Sequence, residues 1–120
     1  MAHSAVILLV DDDPLGIQTR RAVLERNGYR VLTASTAEDG LRVLREQHVD
    51  LVLSDHFLRD KRGTALAEEM KRLKPHVPVA ILSAAAEVPE GIEKADTFIT
   101  KLEEIPVMLE EIARLLKSHR

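Results

Sequence analysis

The chain has 120 residues, 45% of them hydrophobic and 31% charged, which suits one domain with its own core and leaves little room for a second. With 17 basic and 20 acidic residues the net charge is −3, which argues against the basic face of a nucleic-acid binder. The absence of cysteine excludes a disulfide framework and a thiolate zinc site, and no apolar run approaches membrane-spanning length. The N-terminus carries no signal-peptide pattern, so a cytoplasmic location is expected.

Val6–Val10 (VILLV) reads as a buried strand. Asp13-Pro14 supplies a helix cap and proline at the first helical position, and Gly28 stands where a helix ending at Asn27 needs a left-handed residue. Residues 31–34 (VLTA) form a second, weaker run. Ser35-Thr36-Ala37-Glu38 is a capping-box pattern, with Ala37, Leu41 and Leu44 on one helical face. A third apolar run covers residues 49–53 (VDLVL), and Leu66, Met70 and Leu73 make a stripe that ends before Pro75. Residues 79–82 (VAIL) and 97–99 (TFI) complete the strands, and Pro89 and Gly91 between them leave room for only a short helix near residues 90–95. Ile105, Met108, Leu109, Ile112, Leu115 and Leu116 then lie at helical spacing. Five near-continuous apolar runs alternating with helical patterns predict a doubly wound α/β domain with a five-stranded parallel sheet. In such a sheet the functional crevice lies beyond the carboxyl ends of the strands.

Those ends carry a constellation. Asp11, Asp12 and Asp13 follow the first strand, Asp55 the third, Ser83 the fourth, and Thr100 and Lys101 the fifth. Packed carboxylates repel, and either a raised pKa or a bound hard cation relieves them. Oxygen-only ligands favour Mg2+. A carboxylate can attack phosphorus, while Lys101 offers a compact positive charge and Ser83 a hydroxyl to the phosphoryl oxygens. Each residue alone has a plainer role: Asp13 as helix cap, Asp11 and Asp12 as loop residues, Asp55 as a polar strand end, Ser83 as turn filler, Lys101 as a solvated cation. Their ordered appearance after strands one, three, four and five is what points to phosphoryl transfer onto an aspartate. His56 should point to the other side of the chain from Asp55, and the remaining histidines show no metal-ligand spacing.

The segments ILLVDDDP, VDLVLSD, AILSA and TFITK, with Gly63 ahead of the third helix, resemble the response-regulator receiver domain of two-component and phosphorelay signal transduction. The resemblance spans essentially the whole chain, 1–120, as a single receiver domain. It implies a flavodoxin-like fold with strand order 2-1-3-4-5, one of the common orders of doubly wound sheets. It implies Asp55 as phosphoacceptor; Mg2+ as cofactor held by Asp11, Asp12, Asp55 and the backbone carbonyl of Phe57, with Asp12 ahead of Asp11 as direct ligand; and Ser83 and Lys101 on the phosphoryl oxygens. Ser83 and Phe98 stand in the family's switch positions; filling of the core is the plainer role for Phe98.

Four features depart from the family pattern. Arg59 and Leu102 stand where prolines are usual, Phe57 puts a bulky apolar side chain beside the acceptor, and the interval from Ser83 to Lys101 is about one helical turn short, so the fourth helix should be truncated. Phe57 and Ala85, flanking the acceptor, cannot orient a water molecule, which predicts a long-lived phosphorylated state.

The expected partners are a histidine kinase or phosphotransfer protein and an unidentified downstream protein, with output by protein contact, no nucleic acid and no membrane; a homodimer through the last helix is compatible. No turnover of a separate substrate is expected, only Mg2+-dependent autophosphorylation from a phosphodonor and autodephosphorylation. The alternative is a phosphorylation-independent pseudo-receiver, favoured by the missing prolines and the short fourth helix. A Mg2+-dependent phosphatase ranks last, since Phe57 stands where a second acid/base aspartate would be needed.

Overall fold

The computed structural model describes residues 4–84, 88–101 and 104–118. The chain runs β1 (Val6–Val10), α1 (Pro14–Arg26), β2 (Arg30–Ala34), α2 (Ala37–Glu46), β3 (Leu51–Asp55), α3 (Gly63–Leu73), β4 (Val79–Ser83), a 3-10 turn (Ile92–Lys94), β5 (Thr97–Thr100) and α4 (Glu104–Ser118). The strands form one parallel sheet in the order β2-β1-β3-β4-β5. All five residues of β1, β3 and β4 are buried, whereas the edge strands β2 and β5 are partly exposed. Burial on both faces is why the inner strands are apolar up to the polar residues at their carboxyl ends.

Alternation divides each strand between two cores. Leu8, Val10, Val52 and Ile81 pack with Leu44, Leu66 and Met70 on the α2/α3 side. Ile7, Leu9, Leu51, Leu53, Leu82 and Ile99 pack with Leu24, Met108 and Ile112 on the α1/α4 side.

The helix ends follow local chemistry, with some shifts from the sequence reading. Asp13 caps α1 by accepting from the Leu15 N–H, Pro14 opens the helix, and Gly28 takes φ +90 behind the Asn27 cap. The capping pattern at α2 is displaced by one residue: Thr36, not Ser35, is the cap and its hydroxyl accepts from the Asp39 N–H at 3.0 Å. A second cap reaches α2 from far along the chain, where the Asp60 carboxylate accepts from the Ala37 and Glu38 N–H groups at 3.0 and 3.1 Å. In α3, Leu66 and Met70 are buried as the stripe requires, but Leu73 is exposed and Ala67 fills the inner face instead. Between β4 and β5 the expected short helix is reduced, among the described residues, to the three-residue 3-10 turn, entered through Gly91 at φ +84.

Candidate functional site

Strand alternation decides what converges at the carboxyl edge of the sheet. Leu9, Leu53 and Ile99 all face the α1/α4 core. Two residues further along, Asp11, Asp55 and Lys101 emerge on that same side. One carboxylate oxygen from each of Asp11, Asp12 and Asp55 lies within 4.8 Å of the others. Lys101 Nζ lies 3.0 Å from Asp55 Oδ1, and Arg59 Nε 3.7 Å from Asp12 Oδ2. Asp11 is almost completely buried, Asp12 partly, and Asp55 is buried at the strand end.

The surroundings of Asp11 are tightly built. Its Oδ1 accepts from the Asp13 N–H at 2.9 Å and its Oδ2 from Arg20 Nη1 at 3.0 Å. Burial pushes the Asp11 carboxyl above its ordinary value, and the Asp55 charge adds to the rise, against lowering by the Asp13 N–H, Lys101 and Arg20. Arg20 was not singled out in the sequence, although a signal existed. Gly16, Arg20 and Leu24 share one stripe of α1 at four-residue spacing, and Leu24 is fully buried, so an arginine on that stripe must enter the interior.

Gly63 lets the start of α3 press against the end of β3. A Cβ there would stand 2.8 Å from both the Asp55 carbonyl oxygen and the His56 Cα, and the Gly63 N–H donates to the His56 carbonyl at 2.7 Å. His56, one residue past Asp55, is buried. Burial lowers its pKa, the Arg62 charge lowers it further, and Asp55 opposes both. The His56 ring meets the Phe57 ring edge-on at 4.8 Å, and the Arg62 guanidinium lies 4.8 Å from the centre of the Phe57 ring. Phe57 is 47% exposed, so its ring is held by Arg62 and His56 at the surface rather than sunk into the core.

Ser83 is fully buried as the last residue of β4, registered opposite Thr100, and its carbonyl accepts from the Lys101 N–H at 2.8 Å. Phe98 is half-buried against the α2/α3 core, beside Ile92 and Ala95 in the same packing group. Of the residues expected at the site, Asp11, Asp12, Asp55 and Lys101 are thus brought together by their side chains. Ser83 borders them through the β4–β5 ladder, and Phe98 is packed on the other face of the sheet. Ala85 and Leu102 lie outside the described residues.

The donor set fits a hard divalent cation. Three carboxylates converge with no histidine or cysteine among them, the composition that Mg2+ prefers over zinc or copper.

The response regulator receiver domain family model matches residues 7–116. The chain is 38% identical over 106 residues to the transcriptional regulatory protein GlrR of Escherichia coli (strain K12), a match covering 84% of this chain and 24% of that protein. It is 34% identical over 99 residues to AfsQ1 of Streptomyces coelicolor, covering 79% of this chain and 44% of that one. The chain therefore spans about a quarter of the length of the first curated relatives it matches. Its structure is similar to a CheY-like receiver domain protein from Methanospirillum hungatei JF-1, with a TM-score of 0.90, 30% identity, and coverage of 98% of this chain and 97% of the other. It is also similar to the response regulator TrrA from Thermotoga maritima in complex with Mg2+ and BeF, with a TM-score of 0.87, 25% identity, and coverage of 92% and 98%.

Proposed function

The chain belongs to the response regulator receiver family, and within it we propose that this protein takes a phosphoryl group onto Asp55 and signals through the change of shape that follows. The observation that carries the proposal is the pairing of Lys101 Nζ with Asp55 Oδ1 at 3.0 Å, beside a second and third carboxylate within 4.8 Å. Asp11, Asp12, Asp55 and the Phe57 carbonyl would hold Mg2+, which when bound supplies charge to offset that of a phosphoryl group. An Asp55 oxygen forms the bond to phosphorus as the bond from phosphorus to the donor breaks; a phosphohistidine donor leaves as imidazole and takes up a proton. Lys101, already fixed on Asp55, meets the growing negative charge on the transferred oxygens. The Ser83 hydroxyl is assigned to those same oxygens, and Phe98 repacks when Ser83 moves.

The donor proposed is a histidine kinase or phosphotransfer protein, which places the domain in the cytoplasm; no helix among the described residues is long and apolar enough to cross a membrane. Residues 1–120 act as one receiver unit, and its output goes to a protein partner. The Phe57 side chain, pinned by Arg62 and His56, presents no group able to orient an attacking water. A slowly lost phosphoryl group goes with that arrangement.

The test is intact mass after incubation with Mg2+ and acetyl phosphate. One added phosphoryl group is expected, absent in Asp55→Asn and in metal-free protein, with loss of the label over time reporting on Phe57. A pseudo-receiver is the second reading, favoured by Arg59 lying against Asp12, where its guanidinium stands in for a metal charge. Absence of labelling together with absence of Mg2+ binding establishes that reading instead.

A further inference from the structure

Three carboxylates meet at the edge of the sheet, and each has a cation of the protein beside it, but the three cations differ in kind. Arg59, against Asp12, has a side chain 85% exposed and can swing into solvent. Lys101, against Asp55, is partly exposed on a flexible stem. Arg20 is different: its side chain is 8% exposed and Asp11, its partner, 2%. A guanidinium does not give up its proton within a protein, so this charge is permanent. It cannot withdraw without opening the α1/β1 packing.

Gly16 makes the arrangement sterically feasible. A Cβ at that position would stand 2.8 Å from Arg20 Nη1 and 2.9 Å from Asp11 Oδ2. Any other residue would force the guanidinium or the carboxylate aside. Gly16 and Arg20 are therefore one device on a single stripe of α1, with the glycine vacating the space that the guanidinium and carboxylate share. The result for Asp11 is that both oxygens already accept a protein hydrogen bond, one from the Asp13 N–H and one from Arg20.

We infer that Arg20 is a positioning residue that fixes Asp11 and, as a buried permanent counter-charge, sets the divalent-cation affinity of the pocket low. The inference rests on the phosphoacceptor reading of the same pocket. A divalent ion entering beside Asp11 shares that carboxylate with a full positive charge that cannot leave, and the repulsion persists even under strong screening. Asp11 is thereby left as a fixed wall of the pocket, with the adaptable contribution coming from Asp12 and Asp55.

The test is calorimetric titration of the intact protein with MgCl2, which reads binding without any phosphoryl transfer. Arg20→Met removes the charge and keeps the apolar stem; Arg20→Gln removes the charge and keeps a donor for Asp11, which covers the case in which the methionine variant does not fold. Both are expected to bind Mg2+ roughly tenfold tighter than the wild type, about 1.4 kcal/mol. Arg20→Lys, which keeps the charge, is expected to stay at the wild-type affinity. Equal or weaker binding by the neutral variants overturns the inference and leaves the phosphoacceptor reading standing. No Mg2+ binding by wild type and variants alike overturns both.

Discussion

Single atoms decide much of this site. At Gly63 a hydrogen is all that fits between α3 and the strand that ends in Asp55, because the two obstructing atoms are backbone and cannot rotate away. Gly63→Ala is therefore expected to cost about 2 kcal/mol of stability, within the range for overpacking a closed interior, and to displace Asp55. Urea denaturation checks the first effect; a drop in Mg2+-dependent labelling of the folded variant checks the second. The residues proposed for the chemistry were legible from sequence because each sits at the end of an apolar run or within two residues of it: Asp11 and Asp12, Asp55, Ser83 and Lys101. Arg20 was not legible in the same way. Its importance comes from a tertiary contact with Asp11, and the clue was its place on a stripe with Gly16 and Leu24.

Elements are tied to one another by a few polar side chains. Glu111 on α4 accepts from the Thr97 hydroxyl of β5 at 2.6 Å and from Arg114 on its own helix at 2.9 Å. The Arg114 bonds first, and the Thr97 bond second, hold the Glu111 carboxyl down to about 2, against an ordinary 4.5. A carboxyl depressed on folding contributes stability that is complete above about pH 4.5 and is lost as the pH falls toward 2. Glu111→Gln should therefore flatten the pH dependence of stability between those limits while leaving the slope above pH 5 unchanged, measured by thermal melts across the acid range. The segment between β4 and β5 shows where local reading stops. Pro89 and Gly91 announced a short segment, and Gly91 does adopt φ +84 at its start, but no local signal announced that, among the described residues, it would be a three-residue 3-10 turn. The Asp60 cap on α2 was beyond sequence reasoning for a related reason, since its partners lie 23 and 22 positions away.

The whole molecule is two cores divided by one sheet, and the inner strands contribute side chains to both. Neither face can lose its packing without stripping the other side of the same strands, so unfolding should be a single transition. Tyr29, the only tyrosine in a chain without tryptophan, packs against the α1/α4 core and reports on that face alone. Its near-ultraviolet signal and the far-ultraviolet helix signal are expected to give coincident urea transitions; separated midpoints would mean that the two faces melt independently. Both layers were legible because β1, β3 and β4 open on unbroken apolar runs, as strands covered on both sides require, whereas the sheet order came from the family resemblance and not from the composition of any strand.

That division gives the strands a reading frame of two. Residues of one parity feed the helices on one side, residues of the other parity the helices opposite, and the chemical residues simply continue the count past the last apolar position. A single residue deleted from within Leu51–Asp55 would turn Asp55 toward α3 and bring His56 round to Asp11 and Asp12, exchanging a carboxylate for an imidazole beside them. A two-residue insertion would keep the frame while pushing Asp55 outward. The strands therefore tolerate substitution far better than any change in their length.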